Sequence, residues 1–444
     1  MGLLLALPDC GFAAQPSYAS PAEIQQTLDA YVSKAPGVVA IAGVIDHGRI
    51  RIYTAGTPPQ GAPPLNEDTA FQIGSLTKTF TATLLADLVS KGDVRLDDPL
   101  SEYFPASLRI PAYHGQPITL LNLAEQNSGL PRLPANLEIK NPADPYASYT
   151  ASDLESFLSH YEMSRPPGAR YEYSNLGVSL LGMALSNRLR VPYAALLQSN
   201  VLAPIGMRET GFAPASAAHL MPGFAADLTP AQPWTGEFLA PAGGLFSTMR
   251  DMLLYLKANL DAPKGPLGAA MDSAAQPRAL TDGPPFVKIG LIWNINTFNG
   301  NTWHDGQTGG YHALMLFNRA QQRGVILMVN VADTNADMLG LHIVAPALVQ
   351  PPRPIERASA RGSSPYVGVY RLSPSFAITI YEDGGVLHEQ ATGQQALALD
   401  LLSGTTFSVE GVDAQITFVR DQSGKITSLV LHQGGMDQTA QRLP

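Results

Sequence analysis

With 444 residues and 45% hydrophobic content, the chain is long enough to bury more than one core. Its formal charge of −9 comes without long runs of either sign, which excludes the basic stripe that a nucleic-acid partner requires. Only 15% of residues are charged while Gly (40) and Pro (37) are abundant, so the composition points to a loop-rich globular enzyme rather than a helical assembly.

Residues 1–20 open with the apolar run Met1-Gly-Leu-Leu-Leu-Ala-Leu7, then small residues at Gly11, Ala13 and Ala14. That pattern reads as the back half of a secretory leader, so a periplasmic or secreted location is expected. Cys10, the only cysteine, lies in this leader, and Asp9 before it fits a lipoprotein site poorly. The rest of the chain has no thiol for a disulfide, a nucleophile or a cysteine zinc site. No other apolar run is long enough to span a bilayer.

The first domain is expected over residues 21–349. An amphipathic stretch carries Ile24, Leu28, Tyr31 and Val32, and Val38–Ile45 reads as a buried strand. Asp46-His-Gly-Arg49 supplies a turn into a second strand at Ile50–Tyr53. A periodic helix follows from about Leu76 to Ser90, with Leu84, Leu85 and Leu88 inward and Gly92 as its C-terminal cap. Another runs from Asn175 to about Leu189, and a third follows the capping pattern Thr248-Met-Arg-Asp251. Gly324–Asn330 is a buried strand, and Ala336–Val349 is the closing helix. Residues 350–364 are rich in Pro and Ser and read as a linker. Seven short alternating runs between Tyr366 and His432 then predict a small antiparallel β barrel or sandwich over residues 365–444.

The chemistry starts at Phe71-Gln-Ile-Gly-Ser75-Leu-Thr-Lys78. A serine at a helix N-terminus and a lysine three residues later lie on one face. Serine is a weak nucleophile until a base takes its proton, and lysine is that base only when neutral. Desolvation and the positive end of the helix dipole both favour the neutral amine there. In Tyr171-Glu-Tyr173-Ser174-Asn175-Leu-Gly177, a turn ahead of a helix aims a phenol and a carboxamide into one cleft. Tyr173 would shuttle a proton and Asn175 would bind a substrate amide; the plainer alternative is a packed aromatic and a helix N-cap. In Trp303-His304-Asp305-Gly306-Gln307-Thr-Gly-Gly310-Tyr311-His312, glycines interrupt a strand-like run. Glycine in a strand often marks a close backbone approach. The Gln307 and Ser75 N–H groups then suit an oxyanion hole, with His304 aimed at the nucleophile or the substrate. The plainer alternative is a hairpin turn with surface histidines.

The order Ser-x-x-Lys, Tyr-x-Asn, His-x-Gly resembles the class C serine β-lactamases, the AmpH-like D-alanyl-D-alanine carboxypeptidase/endopeptidases and the family VIII esterases. Asn127-Ser-Gly-Leu-Pro131 and Pro241-Ala-Gly-Gly-Leu-Phe-Ser-Thr-Met-Arg-Asp251 resemble them too, over roughly residues 22–348. The resemblance implies an α/β fold of the β-lactamase/transpeptidase type, an antiparallel sheet flanked by helices plus a helical subdomain. A lipocalin-like β domain follows. It implies acylation of Ser75, with Lys78 and Tyr173 as general base and acid. Asn175, His304, Gly306 and Gln307 bind substrate, and neither metal nor cofactor takes part. His304 replaces the lysine usual in β-lactamases, Asp305 replaces a small hydroxyl residue, and Gln126 replaces a frequent histidine. A carboxylate at 305 is expected to repel a substrate carboxylate by about tenfold if unscreened.

The first reading is thus a D,D-carboxypeptidase/endopeptidase of peptidoglycan, with β-lactams as substrates or inhibitors. The alternatives are a β-lactamase, a family VIII carboxylesterase, and a catalytically silent penicillin-binding-like receptor. Retention of Ser75, Lys78, Tyr173 and Asn175 argues against the last. His304 and His312 are the only histidine pair with spacing worth weighing for a metal, and no zinc site is expected. The oligomeric state has no signature in the sequence.

Overall fold

The computed structural model describes residues 18–141, 143–225, 228–261, 265–333, 335–355, 364–373, 376–391, 396–410, 412, 414–433 and 436–443. Most of the expected leader and residues 356–363 of the expected linker lie outside them. By contacts the chain forms two compact units. One is Met1–Leu137 with Tyr149–Ile355, and the other is Glu138–Ser148 with Glu356–Pro444.

The first unit is built on an eight-stranded antiparallel sheet. Its order is Arg49–Gly56, Val39–Asp46, Arg323–Val329, His312–Asn318, Thr302–Gln307, Asn294–Asn296, Val287–Ile289 and Ala279–Leu280. The central strands are apolar on both faces because both are covered. On one face, Leu314, Leu316, Val325 and Leu327 pack with Leu28 and Tyr31 of the Pro21–Val32 helix and with Leu339 and Ile343 of the Ala336–Val344 helix. On the other, the Met249–Asp261 helix lies so close that a Cβ at Gly43 would meet Met249 and Leu253.

Three sequence expectations shift in detail. The closing helix stops at Val344 rather than Val349. Pro346 drives Ala345 out of the helical region, to φ −145. The Thr248-x-x-Asp251 box forms by half. Thr248 Oγ1 accepts from the Asp251 N–H, but the Asp251 carboxylate accepts from Glu209 N and Thr210 Oγ1 instead. The Thr77–Lys91 helix is buried without a break from Thr77 to Leu88, not along one stripe. Its threonine hydroxyls find internal acceptors, Thr79 on Leu76 O and Thr81 on Pro241 O, so full burial leaves them satisfied.

The second unit is a closed eight-stranded antiparallel barrel from Gly368 to Arg442. Tyr370, Ile378, Ile380, Phe407, Ile416, Phe418 and Leu429 fill its core. Seven strands follow the alternation seen in sequence. The eighth, Met436–Arg442, escapes it because MDQTAQR is almost wholly polar. Its pairing with both Ile426–Gln433 and Gly368–Ser373 closes the barrel and removes the open edges.

Candidate active site

Ser75 sits in a 3₁₀ turn, Gly74–Leu76, that leads directly into the Thr77–Lys91 helix. Gly74 carries φ +50, and a Cβ there would stand 2.6 Å from the Gln307 nitrogen. A Cβ on Gly306 would overlap the Ile73 carbonyl oxygen and stand 2.7 Å from the Ser75 nitrogen. Both positions therefore need glycine, and the two glycines let the Ser75 turn press against the strand backbone. Pairing with Asn294–Asn296 ends at Trp303, so among the described residues no strand pairs with His304–Gln307 on that side. The main chains of Ser75 and Gln307, expected to share an oxyanion hole, are brought together.

Lys78 is fully buried. Its Nζ donates to Ser75 Oγ at 2.9 Å and to the Ala242 carbonyl at 2.6 Å. Burial, helped by the charge of Arg132, pushes the amine well below the ordinary lysine range, with Asp305 opposing. The Tyr173 ring lies over this amine, its centroid 4.9 Å from Nζ. The ring centroids of Tyr173 and His304 are 6.3 Å apart. One cluster therefore gathers Ser75, Lys78, Tyr173 and His304.

The segment before the Asn175–Leu189 helix is fixed from three directions. Ser174, not Asn175, is the N-cap, accepting from Gly177 N at 2.8 Å. The Ser174 hydroxyl donates to Pro131 O. The Ser174 N–H donates to Gln126 Oε1 at 2.6 Å. Gln126, in a left-handed conformation at φ +56, thereby holds the chain next to Tyr173. Asn175 is the first helical residue and is mostly buried, so the capping alternative for it falls away.

His304 is buried, and its Nδ1–H donates to the Asp305 carbonyl at 2.5 Å. Burial and the nearby Lys78 push its imidazole below the ordinary value of 6.5, against the pull of Asp305. A neutral ring with Nδ1 protonated keeps its lone pair on Nε2. His304 and Gly306 share the strand face toward Ser75, and Asp305 takes the other face by alternation. There it meets His312 and Asp337; the donor atoms of these three lie within 4.8 Å of one another. They are the one group of metal-ligand type found among the described residues. His312 Nε2–H donates to Asp337 at 2.8 Å, and the charges of Asp337 and Asp305 raise the His312 pKa despite burial. Asp305 is itself raised by burial and by Asp337. Asp305 is thus turned to the face opposite Ser75, and burial and Asp337 both favour its uncharged form, which weakens the expected repulsion of a substrate carboxylate. His304 and His312 lie on opposite faces and form no ligand pair.

The β-lactamase family profile matches residues 24–347, and a domain of unknown function, DUF3471, matches residues 353–443. The D-alanyl-D-alanine-carboxypeptidase/endopeptidase AmpH of Escherichia coli K12 is 32% identical over 253 residues, 56% of this chain and 64% of that protein. The chain thus spans just under two thirds of AmpH. A β-lactamase of Pseudomonas fluorescens is 26% identical over 371 residues, covering 74% of this chain and 99% of that protein. Among solved structures, a β-lactamase/D-alanine carboxypeptidase from Yersinia pestis superposes with a TM-score of 0.62 at 27% identity, over 74% of this chain and 99% of that one. A serine hydrolase fold, a sheet backed by helices and a Ser-x-x-Lys helix entering beneath it go together: the chain belongs to the β-lactamase family.

Proposed function

We propose that the chain is a serine D,D-peptidase, cleaving D-alanyl-D-alanine bonds of peptidoglycan peptides through an acyl-enzyme on Ser75. The observation that carries this reading is the buried Lys78 amine 2.9 Å from Ser75 Oγ beneath the Tyr173 ring, with burial favouring its uncharged form. In the first step the Ser75 proton passes to Lys78 while Oγ bonds to the carbonyl carbon. The C–N bond then breaks, and Tyr173 delivers the proton to the departing amine. Water hydrolyses the ester in the reverse sense, and the Ser75 hydroxyl is restored. Backbone N–H groups of Ser75 and Gln307 hold the oxyanion, and Asn175 and His304 hold the donor. No metal or cofactor enters these steps. The likeness to AmpH and the histidine at 304 support a peptidase over a β-lactamase. The apolar leader supports a periplasmic setting.

The test is intact-mass analysis after mixing with a penicillin, a D-Ala-D-Ala peptide or a short-chain ester, beside Ser75→Ala. A peptide-derived adduct with D-alanine release, both absent in Ser75→Ala, is the expected result. Rapid penicillin turnover with an inert peptide would turn the reading to a β-lactamase. Turnover of the ester alone would turn it to an esterase.

A further inference from the structure

Around the Tyr173 ring stand three basic groups, and burial favours the uncharged form of two of them. Lys78 and His304 are both driven toward their uncharged forms by burial. The third is Arg132, whose guanidinium carbon lies 4.9 Å from the ring centroid, as far as Lys78 Nζ does. Arginine brings a permanent charge and a planar fork that matches a carboxylate. The side chain is exposed, and no carboxylate pairs with it among the described residues. Its main chain, by contrast, is fixed. The Arg132 carbonyl accepts from Asn175 N at 3.0 Å and Leu176 N at 3.2 Å, and the Pro131 carbonyl accepts from Ser174 Oγ. A rigid loop thus presents a free cation on the ring of the proposed proton donor.

We infer that Arg132 recognises an anionic group on the leaving half of the acyl donor, such as the terminal carboxylate of a peptide. The inference rests on the peptidase reading and extends it. If Tyr173 hands a proton to the departing amine, the atoms bonded to that amine lie beside the phenol. A carboxylate one carbon from that nitrogen then falls within reach of a guanidinium stacked on the same ring. On the sheet side, burial drives His304 toward the neutral imidazole, and Asp305 lies on the other face. The charge that fixes the leaving group therefore comes from the helical side of the cleft. Arg132 is a specificity residue, and it takes no part in bond making.

The test uses two peptides with one acyl half, one ending in D-Ala-D-Ala carboxylate and the other in D-Ala-D-Ala amide. kcat/KM is measured for the full chain, Arg132→Gln and Arg132→Lys, each at the plateau of its pH profile. Wild type should prefer the carboxylate by about tenfold or more, Arg132→Gln should lose that preference, and Arg132→Lys should keep part of it. The ratio is taken within one preparation, so any unfolded fraction cancels. An unchanged preference in Arg132→Gln overturns the inference. So does a wild type that forms its Ser75 acyl-enzyme equally well from both peptides, and that result leaves the peptidase reading standing. If neither peptide acylates Ser75, the peptidase reading fails and takes this inference with it.

Discussion

The two units of the chain bury ionisable groups in opposite company. In the first, Lys78 lies among Ser75 Oγ, the Ala242 carbonyl, the Tyr173 ring and the field of Arg132. In the barrel, Glu389 is raised to about 7 by burial alone. Its register neighbours on the adjacent strands are Ile380 and Leu397. A shifted pKa therefore means two different things in one chain. Beside a nucleophile and a proton carrier it marks a candidate site, and among aliphatic side chains it marks a cost to the fold.

The largest expected effect breaks the comparison at Lys78. Lys78→Met removes the base hydrogen-bonded to Ser75 Oγ, so acylation should fall on the order of 10⁴-fold, read by mass shift or burst kinetics. The same substitution reports on stability. The unfolded chain binds a proton at Lys78 below the ordinary value of 10.5, and the folded chain does not until much lower pH. Wild-type stability at this residue therefore drops as pH falls from 10.5 toward the depressed value. In melts across alkaline pH, wild type should gain on Lys78→Met as pH rises. A gap that ignores pH would mean the amine is charged when folded.

A smaller effect contrasts two glycines. Gly306→Ala puts a methyl against the Ile73 carbonyl and the Ser75 nitrogen, so the strand must back away from the nucleophile. Displacement of about 1 Å in such a site costs about 10²-fold in rate. Gly424 in the barrel has φ +84 and open space around it, so Gly424→Ala should cost about 1–2 kcal/mol of stability with kcat/KM unchanged. Rate loss and melting temperature, measured on both variants, separate a functional glycine from a turn glycine. Equal rate losses would erase the distinction.

The sequence was most legible where local rules act alone. The Asn175–Leu189 helix has the bounds its pattern predicts, and Gly92 ends the Ser75 helix at φ +78 as a left-handed cap. Ser75, Lys78, Tyr173 and His304 were each readable from motif order, and the fold brings them into one cluster. What stayed hidden depends on distant partners. Nothing local to Gln126 says that its side-chain Oε1 will hold Ser174, 48 residues away. Asp337 sits in what the sequence marks only as the closing helix, and its role appears when the sheet brings it to His312. Arg132 lies within the run Ser128-Gly-Leu-Pro-Arg-Leu-Pro134, which resembles the AmpH-like branch, but nothing in that run says that its side chain will reach the Tyr173 ring. The eighth barrel strand is made by closure, since its two partners supply the pairing that its polar sequence does not advertise.

The smallest expected effect lies in the barrel and sharpens the comparison from its other side. Glu389 is an acid whose folded pKa is raised, so it takes up a proton on folding between its ordinary 4.5 and about 7. Its penalty is absent below 4.5, grows through that window and is complete above 7. A shift of that size corresponds to about 3 kcal/mol as an upper bound. Glu389→Gln keeps the shape and removes the charge. It should stabilise the barrel by up to about 3 kcal/mol at alkaline pH and by nearly nothing near pH 4, with acylation of Ser75 unaltered. Urea melts of the full chain at the two pH values, paired with penicillin labelling, read both quantities. If Glu389→Gln were destabilising at alkaline pH, the carboxylate would have an ionic role in the barrel. The contrast would then fail, because the second unit too would hold its charge for a purpose.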